Sequence, residues 1–221
     1  MARPRSDIQP RILSAAAARF LHDGVDGASL RQIAQDAGTS VGMVSYYFAT
    51  KDDLFIAVVE DKYKKLLGDI TDALAPDAPF EEQVLRLCTR IAALDDDEFR
   101  VLRVVLREAL VASPRMPILL ARFSTGHVPV VLGAIARAMA NGEIRADVHP
   151  AAVMLGLFGT VMASQLFLRL AAPAIPALGV LPTRAELAHA LRDALLHGIG
   201  APPAVKGEAR DAEFAEKKKR G

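Results

Sequence analysis

The chain has 221 residues, 52% of them hydrophobic and 24% charged, with a formal net charge of +1 at pH 7; wholesale disorder is excluded, and the charge argues neither for nor against nucleic acid. Aromatics are only 5%, with no Trp, and Ala, Leu and Val dominate the apolar set, which favours helix over sheet. A single cysteine, Cys88, excludes a disulfide framework and a Cys-based zinc site; Met1 to Pro10 lack the apolar core of a secretory signal, so a cytoplasmic location is expected.

A short arm with Arg3 and Arg5 precedes a first helix over about 7–22. Ile8, Ile12, Ala16 and Phe20 step by four along one face of it, and Gly24 ends the run. Ser29 opens a second helix, with Gln32 at capping-box spacing, Leu30, Ile33 and Ala34 facing inward, and Gly38 as its stop. A third helix runs from Ser40 to about Tyr46. A fourth starts behind Thr50, with Asp53 at its third position, and continues to about Leu74. Pro76 to Pro79 read as a loop. Further helices are expected at about 80–94, 97–112, 115–140, 150–171 and 184–198. Pro117 and Pro129 should shorten or kink the third of these, and Thr183 and Glu186 repeat the capping-box spacing. Residues 200–221, with Pro202, Pro203 and a basic run from Lys217 to Arg220, read as a disordered tail.

The segment Ser29 to Lys51 has the punctuation of a helix-turn-helix. Ala34 is small enough for a close helix crossing, Gly38 turns the chain, and Ser40 caps the next helix. Val44 lies four residues on, where it packs back on Ile33. That orientation leaves Val41, Gly42 and Ser45 on the outer face as candidate base contacts in a major groove. Ser29, Thr39, Ser40, Tyr46, Tyr47 and Lys51 supply hydroxyls, phenols and a charge beside free helix N-termini, and are the candidate phosphate contacts. The same spacing also fits a plain helical hairpin in which Tyr46, Tyr47 and Phe48 are core aromatics.

The pattern Gly24, Ala28, Ser29, Ile33, Ala34, Ala37, Gly38, Thr39, Ser40, Gly42, Val44, Tyr47, Phe48, Lys51 and Leu54 resembles the TetR/AcrR family of bacterial transcriptional regulators. The resemblance implies an all-α homodimer of about nine helices per subunit. Its three-helix DNA-binding domain would occupy residues 1–50, and a helical regulatory and dimerisation domain, with 51 opening the linker helix, residues 51–199. Two departures stand out: the family very often has Tyr at the position of Ser45, and often Val at that of Thr39. The implied partners are a palindromic operator in double-stranded DNA, a second copy of the chain, and an unidentified small apolar or aromatic effector, with no cofactor. The helices in which this family lines its pocket carry Met116, Phe123, His127, Met154, Phe158, Met162 and Gln165; ordinary core is the competing reading for each of them. Dimerisation would use Gly156, Gly159 and Ala163 together with a Leu187–Leu191–Leu195 stripe.

Other features have plainer explanations. The charge-free run from Pro150 to Leu168 is nearly long enough to span a bilayer, and a membrane-anchored regulator is therefore an alternative. Thr160, Ser164 and Gln165 interrupt it, which favours burial between helices. His189, Asp193 and His197 have metal-ligand spacing, yet leucines occupy the opposite face, as on a solvated amphipathic helix. Cys88 sits between Leu87 and Ile91 on an apolar stripe, and the acidic cluster from Asp95 to Glu98 is placed to cap a helix. No glycine-rich phosphate loop or nucleophile elbow supports a helical enzyme, the remaining rival.

Overall fold

Residues 7–175 and 179–199 are described by the structure, which is a computed structural model. The arm with Arg3 and Arg5 and the tail from 200 onward lie outside the described residues. Among those described there are ten α-helices and no strand: α1 (Ile8–Gly27), α2 (Leu30–Asp36), α3 (Val41–Tyr47), α4 (Lys51–Ala73), α5 (Phe80–Ala92), α6 (Asp96–Leu110), α7 (Met116–Thr125), α8 (His127–Ala140), α9 (Pro150–Leu166) and α10 (Arg184–Ile199). The fold is all-α, as the apolar periodicity requires.

Helix starts follow local chemistry closely. Thr50 and Asp53 form a reciprocal capping box, each side chain accepting the other's backbone N–H at 3.0 Å. Asp95 and Glu98 form a second one at the head of α6, and Thr183 and Glu186 a third at the head of α10. The box expected at Ser29 is absent: Ser29 has the extended backbone of an N-cap, but its side chain makes no capping bond.

Helix ends follow a different rule. Neither α1, α2 nor α4 has a basic residue in its last turn, and each receives an arginine from elsewhere in the chain. Arg107 donates to Leu21 O (2.7 Å), Arg11 to Ala37 O (2.7 Å) and Arg137 to Leu74 O (3.0 Å). A cation at these carbonyls satisfies orphan acceptors and meets the negative end of the helix dipole. Gly38, at φ +62°, lies directly under Arg11, whose guanidinium nitrogen would sit 3.1 Å from a Cβ there. The turn between α2 and α3 therefore favours glycine for its left-handed backbone, and a Cβ there would also push the Arg11 guanidinium by a few tenths of an ångström.

Two apolar cores result. The first joins Ile12, Ala16 and Phe20 of α1, Ile33 of α2, Val44 of α3 and Leu54, Phe55 and Val58 of α4 to Val101 and Val104 of α6 and Leu119 of α7. The second gathers the far end of α4, α5, α8, α9 and α10 around Ile70, Phe80, Val84, Ile135, Val153 and Leu157. Cys88 is buried in it, and burial pushes its thiol up to about 11, which leaves it inert as a nucleophile. Two features of the second core depart from expectation. Of the Leu187–Leu191–Leu195 stripe, Leu191 and Leu195 join the core inside the subunit across from α5, while Leu187 is half-buried outside that cluster. Helix α9 instead leaves Ala152, Leu155, Phe158, Gly159 and Ala163 exposed along its outer side.

The single helix expected over 115–140 is two, α7 and α8, bent by 42° at Gly126. Pro117 and Pro129 fall in the first turns of these helices, where the missing N–H is not needed. The break itself is occupied by Tyr63 of α4. Its hydroxyl accepts the His127 backbone N–H at 3.0 Å and lies 2.9 Å from His127 Nδ1. A Cβ on Gly126 would stand 2.0 Å from that hydroxyl, so only glycine fits.

Arg115 ties the first core's outer elements together. Its side chain is 5% exposed; Nε donates to Asp52 of α4 (2.7 Å), Nη1 to Glu108 of α6 (2.9 Å) and to Ser113 (3.0 Å), and Nη2 to Asp26 at the end of α1. Glu108 is equally buried, whereas the Asp26 and Asp52 side chains are 84% and 59% exposed. Burial opposes the charge on Arg115, but the bonds to Asp52, Asp26 and Glu108 raise its pKa. Arg115→Ala leaves Glu108 buried without its partner and should cost about 3 kcal/mol or more in urea denaturation, while Asp26→Ala should cost less than about 1 kcal/mol. Equal losses would mean that the burial of the pair is not what matters.

His127 provides a pH test. Burial lowers its pKa below the ordinary 6.5, so the folded chain resists a protonation that the unfolded chain accepts. Stability should therefore fall as pH drops below that value and this contribution should level off beneath the folded pKa. Melting curves of His127→Gln should lack this part of the acid slope; an unchanged slope would assign the loss to other groups.

Candidate nucleic-acid interface and cavity

Helix α3 is short and is held at both ends. Ser40 accepts the Met43 N–H at 3.2 Å, and Phe48, 8% exposed, anchors the exit in the first core. Between them Val44 and Ile33 are both fully buried, which locks α3 across α2. The rest of α3 is consequently turned out. Val41, Gly42, Ser45 and Tyr46 are exposed, and Tyr46 is the most exposed of its aromatic trio. Tyr47 is half-buried and stands edge-on to Tyr46, the ring centroids 5.3 Å apart. The three aromatics thus divide between surface and core, where spacing alone allowed either.

The candidate phosphate contacts are distributed around this face. Ser40 is exposed and Ser29 and Thr39 are half-buried at the openings of α3 and α2. Lys51, at the start of α4, donates to Asp26 O (2.7 Å) and Ala28 O (3.1 Å). Two of its three N–H groups are therefore spent on strapping α4 to the α1–α2 connection, and one remains for an anion. Arg31 and Gln32 are exposed on α2 beside this face; spacing marks Gln32 only as a capping-box partner and Arg31 not at all. Their signal in the sequence is only that they fall opposite Ile33 and Ala34.

A cavity of about 270 Å³ lies between the cores. It runs along α4 from Val59 to Ile70, is walled by α5, α6, α7, α8 and α9, and opens to the surface where the lining residues Leu155 and Phe158 are exposed. Phe123, His127, Met154, Phe158 and Met162 line it. Met116 and Gln165 do not: Met116 packs on the first core, and Gln165 is buried one turn beyond Met162, the last α9 residue at the cavity. The polar lining is sparse. Lys62 is ion-paired with Asp61 at 3.0 Å, and Glu98 accepts from Arg90 and from the Asp95 N–H. Tyr63 and His127 form the hydrogen-bonded pair of the α7–α8 break, with Phe123 stacked beside both rings at 5.3 and 5.2 Å. Burial raises the Tyr63 pKa and lowers that of His127, so both are neutral near pH 7. Tyr63 escaped the sequence reading because its partner is 64 residues away.

Among the described residues no cluster of His, Cys, Asp and Glu could hold a metal ion. Asp193 is paired with Arg192, and the His197 side chain lies outside the described residues. One helix, Pro150–Leu170, is long and apolar enough to cross a membrane; its buried residues Val153, Leu157 and Val161 belong to the second core.

Residues 12–58 match the family model for bacterial regulatory proteins of the tetR family. The HTH-type transcriptional regulator PksA of Bacillus subtilis is 31% identical over 85 residues, covering 38% of this chain and 42% of that protein. The HTH-type transcriptional dual regulator CecR of Shigella flexneri is 28% identical over 113 residues, 45% of this chain and 50% of that one. The chain thus spans about half the length of the curated relatives it matches. The ketosteroid transcriptional regulator KstR2 of Mycobacterium tuberculosis has the same fold, at a TM-score of 0.66 and 19% identity over 91% of this chain and 98% of that one. Taken with the buried Val44–Ile33 crossing and the outward face of α3, these matches make residues 12–58 similar to the helix-turn-helix segment of the tetR family of bacterial regulatory proteins, and the described fold similar to that of solved regulators.

Proposed function

We propose that the chain is a cytoplasmic transcriptional regulator, most simply a repressor, that binds a palindromic operator as a homodimer and is released by a small apolar effector. The observation that carries this reading is the outer face of α3. Val41, Gly42 and Ser45 present short side chains, so the helix can lie deep in a major groove and put its backbone close to base edges. Tyr46, Tyr47, Ser29, Thr39, Ser40 and the remaining N–H of Lys51 surround it as phosphate anchors. Ser45, short where the family often has Tyr, leaves room that the exposed Tyr46 ring flanks.

The outer side of α9 supports the homodimer. Leu155 and Phe158 are 66% and 52% exposed, beside the small residues Gly159 and Ala163, and no charged residue interrupts the strip. A two-fold axis along such a strip buries it against its own copy and sets two α3 helices on one side of the dimer. No turnover and no cofactor enter this reading.

Effector release follows from shared helices. Helix α4 begins at the DNA-reading end with Asp52 and Lys51 and lines the cavity from Val59 onward. Helix α7 begins at Arg115 and ends at Phe123 beside the cavity. An occupant that separates α4 from α7 displaces the reading head, and linkage makes operator and effector oppose each other by one common factor.

Anisotropy titrations on a selected palindrome test the DNA side. Tyr46→Phe and Lys51→Ala should weaken binding by similar factors on every sequence and lower the salt dependence, whereas Val41 or Ser45 substitutions should change which bases are preferred. A change of sequence preference from Lys51→Ala alone would reverse these roles. Light scattering should give a dimer at micromolar concentration, and Leu155→Glu with Ala163→Glu a monomer; a monomeric parent chain would contradict the proposed assembly.

A further inference from the structure

The cavity's polar groups define the chemistry of its occupant more narrowly than "apolar". The His127 backbone N–H can only donate, so at 3.0 Å it takes a lone pair of the Tyr63 oxygen. The oxygen has no other partner among the described residues, so if Nδ1, 2.9 Å away, also donated to it the phenolic proton would have no acceptor; the arrangement that satisfies every group has the phenol donating to Nδ1. Nδ1 therefore carries no proton, and a neutral imidazole carries its proton on Nε2. Among the described residues Nε2 has no hydrogen-bond partner, and His127 is a lining residue of the cavity. Burial favours the neutral ring, consistent with this assignment.

The remaining polar groups are taken. The charge of Lys62 is matched by Asp61 and that of Glu98 by Arg90, so neither a carboxylate nor an ammonium finds an unmatched counter-charge, although Lys62 keeps N–H groups of its own. Burying an unpaired charge here would be costly. A hydroxyl oxygen would accept from Nε2–H but would bring its own proton, and Nδ1 and the lining carboxylate are already engaged; an unmet buried donor is penalised. A carbonyl oxygen has no such defect. The slot is long as well: Val59 to Ile70 spans roughly 16 Å of α4 at about 1.5 Å per residue, and its walls are mostly aliphatic, with Phe123 and Phe158 among them.

We propose that the cavity takes an uncharged, elongated aliphatic molecule with one carbonyl oxygen, a ketone or ester, which accepts the Nε2–H of His127, and that Tyr63 is the positioning residue that keeps the proton there. This rests on reading the cavity as the effector site.

The test is calorimetric titration of the full chain with four probes of matched length: methyl decanoate, undecanol, decanoate and decylammonium. Methyl decanoate should bind about tenfold more tightly than each of the others, the scale of one well-made or unmet hydrogen bond. In Tyr63→Phe, which keeps the ring but frees the imidazole to exchange tautomers, the preference over undecanol should fall to within a few fold. Histidine-selective nitrogen NMR of the unmodified chain should show His127 protonated on Nε2. Protonation on Nδ1, tighter binding of decanoate or decylammonium, or no binding of the ester would overturn the proposal. Operator binding measured on the same samples keeps the two readings apart: DNA binding without ester selectivity sinks only the ligand class, whereas ester selectivity without DNA binding sinks only the regulator.

Discussion

A guanidinium is the point on which the two ends of this molecule meet. Arg115 is buried at the start of α7, and its donors fan out to the end of α1, the first turn of α4 and the last turn of α6. Of its three carboxylate acceptors only Glu108 is buried with it. The arrangement is expensive to break and tolerant at its rim, because the exposed Asp26 and Asp52 can exchange their bonds for water while Glu108 cannot. Through it the helices that present α3 and the helices that wall the cavity share one ionic junction.

The same economy recurs at the helix ends. Arg11, Arg107 and Arg137 each reach from one helix to the terminal carbonyls of another that has no basic residue of its own there. These contacts do two things at once: they satisfy orphan acceptors and fix the angle between helices. Arg107 joins α6 to α1, and so does the packing of Val101 and Val104 into the first core. The α1–α3 end is therefore not an isolated three-helix unit. Its core borrows from α6 and α7, and movement in the cavity walls has a short route to α3.

How much of this could be read from the sequence depends on how far apart the partners lie. The Thr50–Asp53 and Thr183–Glu186 boxes, the Gly38 turn and the inward Val44 are encoded within four residues, and all were legible as local chemistry. Five of the seven residues named for the cavity line it, because Met and Phe on an apolar helix already mark an adaptable surface. Long-range partners were not legible. Tyr63 and Gly126 explain the α7–α8 break only once α4 is packed against them, so a continuous apolar pattern over 115–140 read as one helix. The leucine stripe of α10 looked available for a partner subunit because periodicity reports an apolar face and not what covers it. The carbonyls of Asp26 and Ala28 that hold Lys51 are likewise brought close only by the fold and leave no local trace in the sequence.

The central claim is that the α3 face and the cavity belong to one cooperative unit joined through Arg115. Differential scanning calorimetry of the unmodified chain tests it without any ligand or DNA. A joined molecule should unfold in a single transition whose calorimetric and van't Hoff enthalpies agree per cooperative unit. Two separable transitions, with the DNA-reading helices melting on their own, would contradict the account.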